Sequence, residues 1–348
     1  MENTKYETLK LTQVESQISR RVNGKTVHAS KIEAETKVNV AKTRVKSFSQ
    51  ALNAFYKFTR PYSIYATIAF LISTSLLAVE NLSDFSPLFF VRVVEGIIVI
   101  ILCVIYAVGI NQICDMEIDK INKPYLPLAS GELSITNGIL ISTTSAVMSL
   151  LLAWRSGSPY LLWIAVVYIV AGFGYSVDLP MLRWKKYSFV ATLSFVVARA
   201  TVQTVFYLHI QVFFFGRPII FSNTFTFGIM IIGFFSVVTG LFKDIPDIEG
   251  DRRNGIKTLA VKLGDKKMFQ LCVCLLEVAF IFGILVGGKQ ASTTWSRCTM
   301  VVGHSILGIY VWYRAKSIDI RSSVAAESFY MLLWQVMSVE YLLIPLLR

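Results

Sequence analysis

Charge is scarce in this sequence. Only 16% of its 348 residues are Asp, Glu, Lys or Arg, against roughly 25% in an ordinary soluble domain. That is too little to dress a water-soluble surface, and 54% of the chain is hydrophobic with a mean hydropathy of +0.58. Cysteine is sparse and odd in number: Cys103, Cys114, Cys272, Cys274 and Cys298, all in or beside apolar runs. This excludes a disulfide framework. Cys272 and Cys274 are two apart and face different sides of a helix, so they read as packing residues rather than zinc ligands. The histidines, His28, His209 and His304, are scattered and read as structural. Acids are fewer than bases, 22 against 34, for a net charge of +12. The basic excess is not gathered on one soluble module, which excludes nucleic acid as the partner. Alternating ten-residue segments are missing too, which excludes a membrane barrel.

Long apolar runs are what the chain does have. Crossing a bilayer takes about 20 mainly apolar residues as a helix. Nine segments qualify: 62–80, 88–110, 135–154, 160–177, 187–209, 219–242, 267–287, 295–313 and 326–347. They are bounded by charges or by turn residues such as Pro87, Gly157-Ser158-Pro159 and Gly216-Arg217-Pro218. The expected fold is all-α, a multi-pass bundle of nine transmembrane helices, because backbone groups in lipid must be satisfied within their own segment. Loop charge tests that count. Loops 2–3, 4–5, 6–7 and 8–9 hold fifteen Lys and Arg, while the alternate loops hold only Arg155, Arg217, Lys289 and Arg297. An asymmetry surviving every crossing supports the helix count and one orientation.

The first stretch differs. Residues 1–47 are polar, rich in Ser, Thr, Lys and Arg, and lack an apolar run. Residues 1–50 read as a basic tail, a plastid-type transit peptide with a disordered lead-in, and 51–348 as the transmembrane domain. Glu2, Glu7, Glu15, Glu33 and Glu35 count against a transit peptide; the alternative is a plain disordered tail. Within the apolar segments lie Arg92, Glu95 and Arg199, each costing about 2.5–3.5 kcal/mol at a helix centre on insertion scales. Arg92 and Glu95, three apart, can pair across one turn. Arg199 is expected to face the bundle interior or to snorkel, and is given no role.

Two acidic stretches follow apolar segments. The second segment runs into NQICDMEID, and a continued helix would stack Asn111, Asp115 and Asp119 on one face. The sixth runs into KDIPDIEGD, placing Asp244, Asp247 and Asp251 on one face, with Pro246 kinking or ending the helix. By the loop count both rows lie at the same membrane side. All-oxygen donor sets suit Mg²⁺, which keeps several waters and shares carboxylates with substrate phosphates. Acids at a helix C-terminus oppose the macrodipole by roughly 0.3–1 kcal/mol each, and rows brought together repel unless cations lie between them. Lys120, Lys123, Arg183, Lys185, Arg252, Arg253 and Lys257 lie nearby. Mg²⁺ held by carboxylates among Lys and Arg is a diphosphate site, although the charge bias of the loops alone would also put these bases there.

At these residues the chain resembles the UbiA-type intramembrane prenyltransferases, and within them the plant homogentisate and aromatic branch. The stretches FYKFTRPYS at 55–63, NQICDMEIDKINKPYLPLASGELS at 111–134, YSVDLPMLRWKK at 175–186 and KDIPDIEGDRRNGIKTLAVKLG at 243–264 carry the likeness. It spans about 50–348 and leaves the tail unmatched. The resemblance implies nine helices around a central cavity, plastid membranes and Mg²⁺ dependence. It implies one Mg²⁺ on Asn111, Asp115 and Asp119 and another on Asp244, Asp247 and Asp251. It also implies Lys123, Tyr175, Arg183 and Arg60 near the diphosphate.

The implied reaction joins a prenyl diphosphate to an aromatic acceptor within the bilayer. Asp115, Asp119, Asp247 and Asp251 are the catalytic carboxylates in this reading, and an aspartate of the first row takes the acceptor proton. The expected acceptor is a flavonoid, coumarin or similar phenol receiving a dimethylallyl group. The alternative is homogentisate with a phytyl or geranylgeranyl donor, where a basic residue must meet the acceptor carboxylate; no residue is singled out for that task. From a different class, a multi-pass transporter is the alternative, but transport sites lie at midplane breaks whereas these acids lie at helix ends.

Overall fold

A computed structural model describes residues 48–253 and 258–348. The transit-peptide expectation on 1–47, and Asn254 and Lys257, lie outside the described residues. The chain divides into two compact units between Ala54 and Phe55. Of the first, residues 48–54 are described and are helical.

The second unit is helical, with no strand among its described residues. Its helices are α1 (Pro61–Leu77), α2 (Pro87–Cys114), α3 (Met116–Asn122), α4 (Ile135–Arg155), α5 (Pro159–Ser176), α6 (Ser188–Leu208), α7 (Asn223–Phe242), α8 (Ile248–Arg253), α9 (Leu259–Leu263), α10 (Asp265–Gln290), α11 (Thr294–Lys316) and α12 (Ser323–Leu343). Each expected apolar segment coincides with one long helix, and α3, α8 and α9 are short additions in the loops. Seven of the described helices, α2, α4, α5, α6, α7, α10 and α12, are long and apolar enough to cross a membrane. At 17 residues α1 is shorter. The 23-residue α11 has the length but is more polar than these seven, carrying Arg297, His304, Arg314 and Lys316.

Turn chemistry starts these helices where the sequence suggests. Ser86 accepts from the Phe89 amide at 3.2 Å and Ser158 from the Leu161 amide at 3.4 Å, each such cap contributing about 1 kcal/mol. Pro87 and Pro159 occupy first-turn positions where no amide is needed. Packing then follows bilayer rules. The inward face of α4 is Gly138, Ser142, Ser145, Ser149 and Ala153, while Leu140, Leu151 and Trp154 are exposed. Lipid offers no hydrophobic drive between helices, so small residues that let backbones approach make the contact. α2 meets this stripe closely: a Cβ on Gly109 would fall 2.1 Å from the Ser142 hydroxyl.

Contacts run from α1 to α2, α5, α6 and α7, from α7 to both α10 and α12, and from α12 back to α1, with α4 packed on α2 and α5, and α11 on α10 and α12. The loops alternate between two ends, as the charge count requires. At one end Arg217 reaches Asp84 at 2.7 Å and the Ala78 carbonyl at 2.9 Å, and Arg92 reaches the Ser156 carbonyl at 3.3 Å. The basic loops gather at the other end, where Tyr125 bonds Glu327 and Lys123 bonds Asp247.

Candidate active site

The first acidic row begins where α2 stops. Asp115 adopts φ −104°, ψ 6° and separates α2 from α3, so the helix does not run on unbroken as the simple pattern assumes. Register survives the break. Asp115 N bonds Asn111 O at 3.0 Å, Asp119 N bonds Asp115 O at 2.8 Å, and Lys123 N bonds Asp119 O at 2.7 Å. These four-residue steps keep Asn111, Asp115, Asp119 and Lys123 in one column. Asn111 Nδ2 donates to Asp115 Oδ2 at 3.0 Å.

The second row straddles a break at Pro246. α7 ends at Phe242, Ile245 N turns back to Phe242 O at 2.9 Å, and α8 starts at Ile248. Proline has no amide to continue the ladder and clashes with the preceding turn. Asp251 N bonds Asp247 O at 2.9 Å, so Asp247 and Asp251 share a face.

The rows meet. The Lys123 ammonium, at the end of the first column, bonds both carboxylate oxygens of Asp247, at 2.6 Å to Oδ2. Behind them α8 lies against α3, since a Cβ on Gly250 would fall 1.9 Å from Asn122 Oδ1. The 177–187 loop closes a third side. Lys185 pairs with Asp115, and Arg183 Nη2 lies 3.8 Å from Asp115 Oδ1. Lys243 pairs with Asp244 at 2.6 Å, and the Tyr175 hydroxyl lies beside Lys243. Arg60, just before α1, feels the charges of Asp119 and Asp247. Thus Asn111, Asp115, Asp119, Lys123, Tyr175, Arg183, Asp244, Asp247, Asp251 and Arg60 all fall at this end. Arg60 and Arg183 are left-handed, with φ 48° and 57°, a strained conformation for a side-chain-bearing residue and one that clusters at functional sites.

Burial here is not fully compensated. Asp119 and Asp251 are buried. Burial, with added repulsion from Asp115 and Asp247, pushes the Asp119 carboxyl up to about 6 against the pull of Lys123 and Arg60. Burial, with Asp247 and Asp244, pushes Asp251 up to about 7. The Lys185 ammonium is lowered because burial outweighs Asp115. Burial also pulls Lys123 down, but Asp247 and Asp119 outweigh it and raise it.

These residues fit a divalent cation shared with an anionic substrate. Asp115 Oδ1 is buried without an aligned hydrogen-bond donor, its Lys185 partner approaching off-axis. Among the described residues no three His, Cys, Asp or Glu side chains converge into a closed cage. Mg²⁺ takes one or two protein carboxylates and fills its octahedron with water and phosphate oxygens, so neither row needs three converging acids to hold it. Sequence reasoning gave no role to Lys243, although it precedes Asp244 directly, and treated Lys185 only as a nearby base. It did not single out Glu327, which is 202 residues from its partner Tyr125.

Deeper in the bundle from these charges the side chains turn aromatic. Tyr175 meets Phe195 edge-on at 5.9 Å, and Tyr62 lies 5.4 Å from Trp334. Arg199 lies over Trp334 at 5.1 Å and over Phe195 at 5.9 Å. A cleft of about 510 Å³ lined by Phe90, Val94, Glu95 and Arg155 contains none of the motif residues and is not the site of this chemistry.

Comparison with known proteins agrees with this arrangement. The UbiA prenyltransferase family model matches residues 66–336. The chain is 47% identical over 307 residues to homogentisate phytyltransferase 1, chloroplastic, of Arabidopsis thaliana, covering 88% of this chain and 78% of that protein. It is 45% identical over 303 residues to naringenin 8-dimethylallyltransferase 2, chloroplastic, of Sophora flavescens, covering 87% and 74%. Among solved structures, a UbiA homolog from Archaeoglobus fulgidus bound to GPP and Mg²⁺ shares the fold, with TM-score 0.54, 14% identity, and 84% of this chain and 99% of that chain covered.

Proposed function

For a chain that belongs to the UbiA prenyltransferase family, we propose the following reading: an aromatic prenyltransferase that requires Mg²⁺, spans a plastid membrane with all nine long helices, and is addressed there by its 1–50 tail. The catalytic unit is 51–348. It transfers a prenyl group from a prenyl diphosphate to a ring carbon of a phenolic acceptor. The observation that carries the reading is the junction of the two acidic rows, with Lys123 from the first on Asp247 of the second and α8 seated on α3 through Gly250.

In this reading Asn111, Asp115 and Asp119 hold one Mg²⁺, and Asp244, Asp247 and Asp251 a second. Bound there, Mg²⁺ would stabilise charge building on the departing diphosphate. Lys123, Arg183 and Arg60 turn from the carboxylates to the diphosphate oxygens when substrate enters, as charge-assisted donors. Tyr175 fixes Lys243 and so the Asp244 carboxylate. The aromatic lining keeps water from the allylic cation left when the C–O bond breaks, and ring faces attract it. The acceptor ring carbon attacks the allylic cation as an aspartate of the first row takes the acceptor hydroxyl proton, and the hydrogen on the attacked carbon then shifts to that phenol oxygen, which restores the aromatic ring. Carboxylates at helix ends suit a charged head entering from the surface and disfavour a midplane transport site.

Two acceptor classes compete. The naringenin-prenylating relative supports a flavonoid or coumarin receiving dimethylallyl. The homogentisate relative supports an aromatic acid, and so does an interior arginine with no carboxylate partner. Membranes expressing the chain test the reading with a panel of donors and acceptors, with and without EDTA. Prenylated product that disappears with EDTA and returns with Mg²⁺ supports it; product formation indifferent to EDTA refutes it.

A further inference from the structure

The interior arginine is Arg199, on the middle of α6. Its guanidinium is held by neutral groups. Nη1 donates to Thr239 Oγ1 at 3.0 Å and to Ser236 Oγ at 3.3 Å. Those hydroxyls spend their own protons on the Phe235 and Ile232 carbonyls, at 2.8 and 2.6 Å, so toward Arg199 they act as acceptors. Trp334 and Phe195 present ring faces to it. Among the described residues no carboxylate lies within ion-pair reach of Arg199, and its Nε and Nη2 donors have no protein acceptor. Two other charged pairs within the helices are partnered. The half-buried Arg92 pairs with Glu95 at 2.8 Å, and the buried Glu340 with His304 at 2.7 Å.

A guanidinium offers five N–H groups in a planar fork that matches a carboxylate bidentately. Here one nitrogen anchors it to α7 and the other edge is unspent. Its depth matters as much. Thr239 is one helical turn, about 6 Å, before Lys243, whose ammonium pairs with Asp244. The guanidinium thus lies just below the carboxylate mouth. A prenyl C1 leaving a diphosphate there must meet an acceptor carbon about 3–3.5 Å away, which puts the acceptor ring at the level of Arg199, Trp334 and Phe195.

We propose that Arg199 is the acceptor-selecting residue of this enzyme: its free Nε and Nη2 edge binds the carboxylate of an aromatic acid, while Trp334 and Phe195 flank the ring. The proposal rests on the prenyl-transfer reading and narrows its acceptor to a carboxylate-bearing phenol. Arg199 recognises the acceptor and takes no part in diphosphate departure.

The test uses membranes containing the full chain, a donor panel of dimethylallyl, geranylgeranyl and phytyl diphosphates, and three acceptors: homogentisate, its methyl ester and naringenin. Wild type should favour the acid over the ester. Arg199→Gln should raise the KM for the acid about 10–100-fold, the range of a lost charge-assisted hydrogen bond. It should leave ester turnover and the donor KM unchanged, and Arg199→Lys should recover part of the loss. Retained ester turnover shows that the variant is folded. Equal losses on acid and ester, or a wild type that prenylates naringenin and ignores the acid, overturn the proposal while the prenyl-transfer reading stands. A wild type that prenylates no aromatic acceptor with any donor sinks the underlying reading and this proposal together, and does so before any residue is changed.

Discussion

Replacing Gly250 by alanine probes the junction of the acidic rows without touching a carboxylate. In isolation the change should help, because alanine within a helix is favoured over glycine by roughly 0.5–1 kcal/mol. The structure predicts the opposite. The new methyl carbon would stand 1.9 Å from Asn122 Oδ1, 2.5 Å from its Cγ and 2.7 Å from its Nδ2. Even a close C···O contact needs about 3.3 Å, so α8 and α3 must separate by more than an ångström or the whole Asn122 amide must swing out. A flip of its terminal atoms leaves Cγ in the way. Misplacement of about 1 Å at a reacting site lowers rate about 10²-fold, which corresponds to about 2.7 kcal/mol. Gly250→Ala should therefore lower kcat/KM by about 10–100-fold at normal membrane abundance. Adding Asn122→Ala removes the three clashing atoms and should restore activity to within about threefold of Asn122→Ala alone, an estimate resting on the same positional sensitivity. Prenyl transfer in microsomes, normalised to immunoblotted protein, reads both variants. Wild-type activity in Gly250→Ala, or a double variant as poor as the single, would refute a close α3–α8 seat.

The remaining predictions concern charge. Asp115→Ala and Asp247→Ala should each abolish transfer while the protein still inserts in the membrane, and near-normal turnover by either in microsomes would reject its assignment. Asp251, raised to about 7, and Asp119, raised to about 6, must lose protons to hold a cation. The Mg²⁺ concentration for half-activity should therefore climb as pH falls from 8 to 6, by up to about tenfold per unit, with saturating Mg²⁺ recovering the rate; a flat requirement contradicts this. Without metal the same carboxyls bind protons more tightly folded than unfolded. Their contribution to stability is full below the unfolded value near 3.8 and is lost as pH rises through 6 and 7. The thermal midpoint of EDTA-treated protein in detergent should therefore rise between pH 8 and pH 6, and a midpoint that falls over that interval counts against the burial of these groups. At the opposite end, Arg217→Met removes the bonds to Asp84 and the Ala78 carbonyl and the contact with the Phe215 ring. It should cost about 1–3 kcal/mol of stability with kcat/KM per folded enzyme unchanged, and a selective loss of activity would show that this end takes part in the chemistry.

Much of this architecture is readable from local pattern. Apolar length and loop charge mark each long helix, and Pro246 marks the break between α7 and α8, because a missing amide acts within a turn. The row of Asn111, Asp115 and Asp119 is readable for the same reason, although the break in the helix at Asp115 is not. Pairings across long separations leave no trace in spacing. Lys123 with Asp247, Lys185 with Asp115 and His304 with Glu340 join residues on different helices or loops. Arg199 shows the same limit from the other side. Its place within a membrane-spanning segment is evident from the apolar run around it, but only the fold shows that Ser236 and Thr239 hold it and that, among the described residues, no acid answers it.

The central claim is tested most directly by a structure of the protein in lipid with Mg²⁺ and a slowly reacting prenyl thiodiphosphate. The account predicts one diphosphate group spanned by cations between the Asp115–Asp119 column and the Asp244–Asp251 segment, with Lys123 moved from Asp247 onto the phosphate oxygens. A diphosphate held by one segment alone, or bound at the Arg217 end, would contradict it.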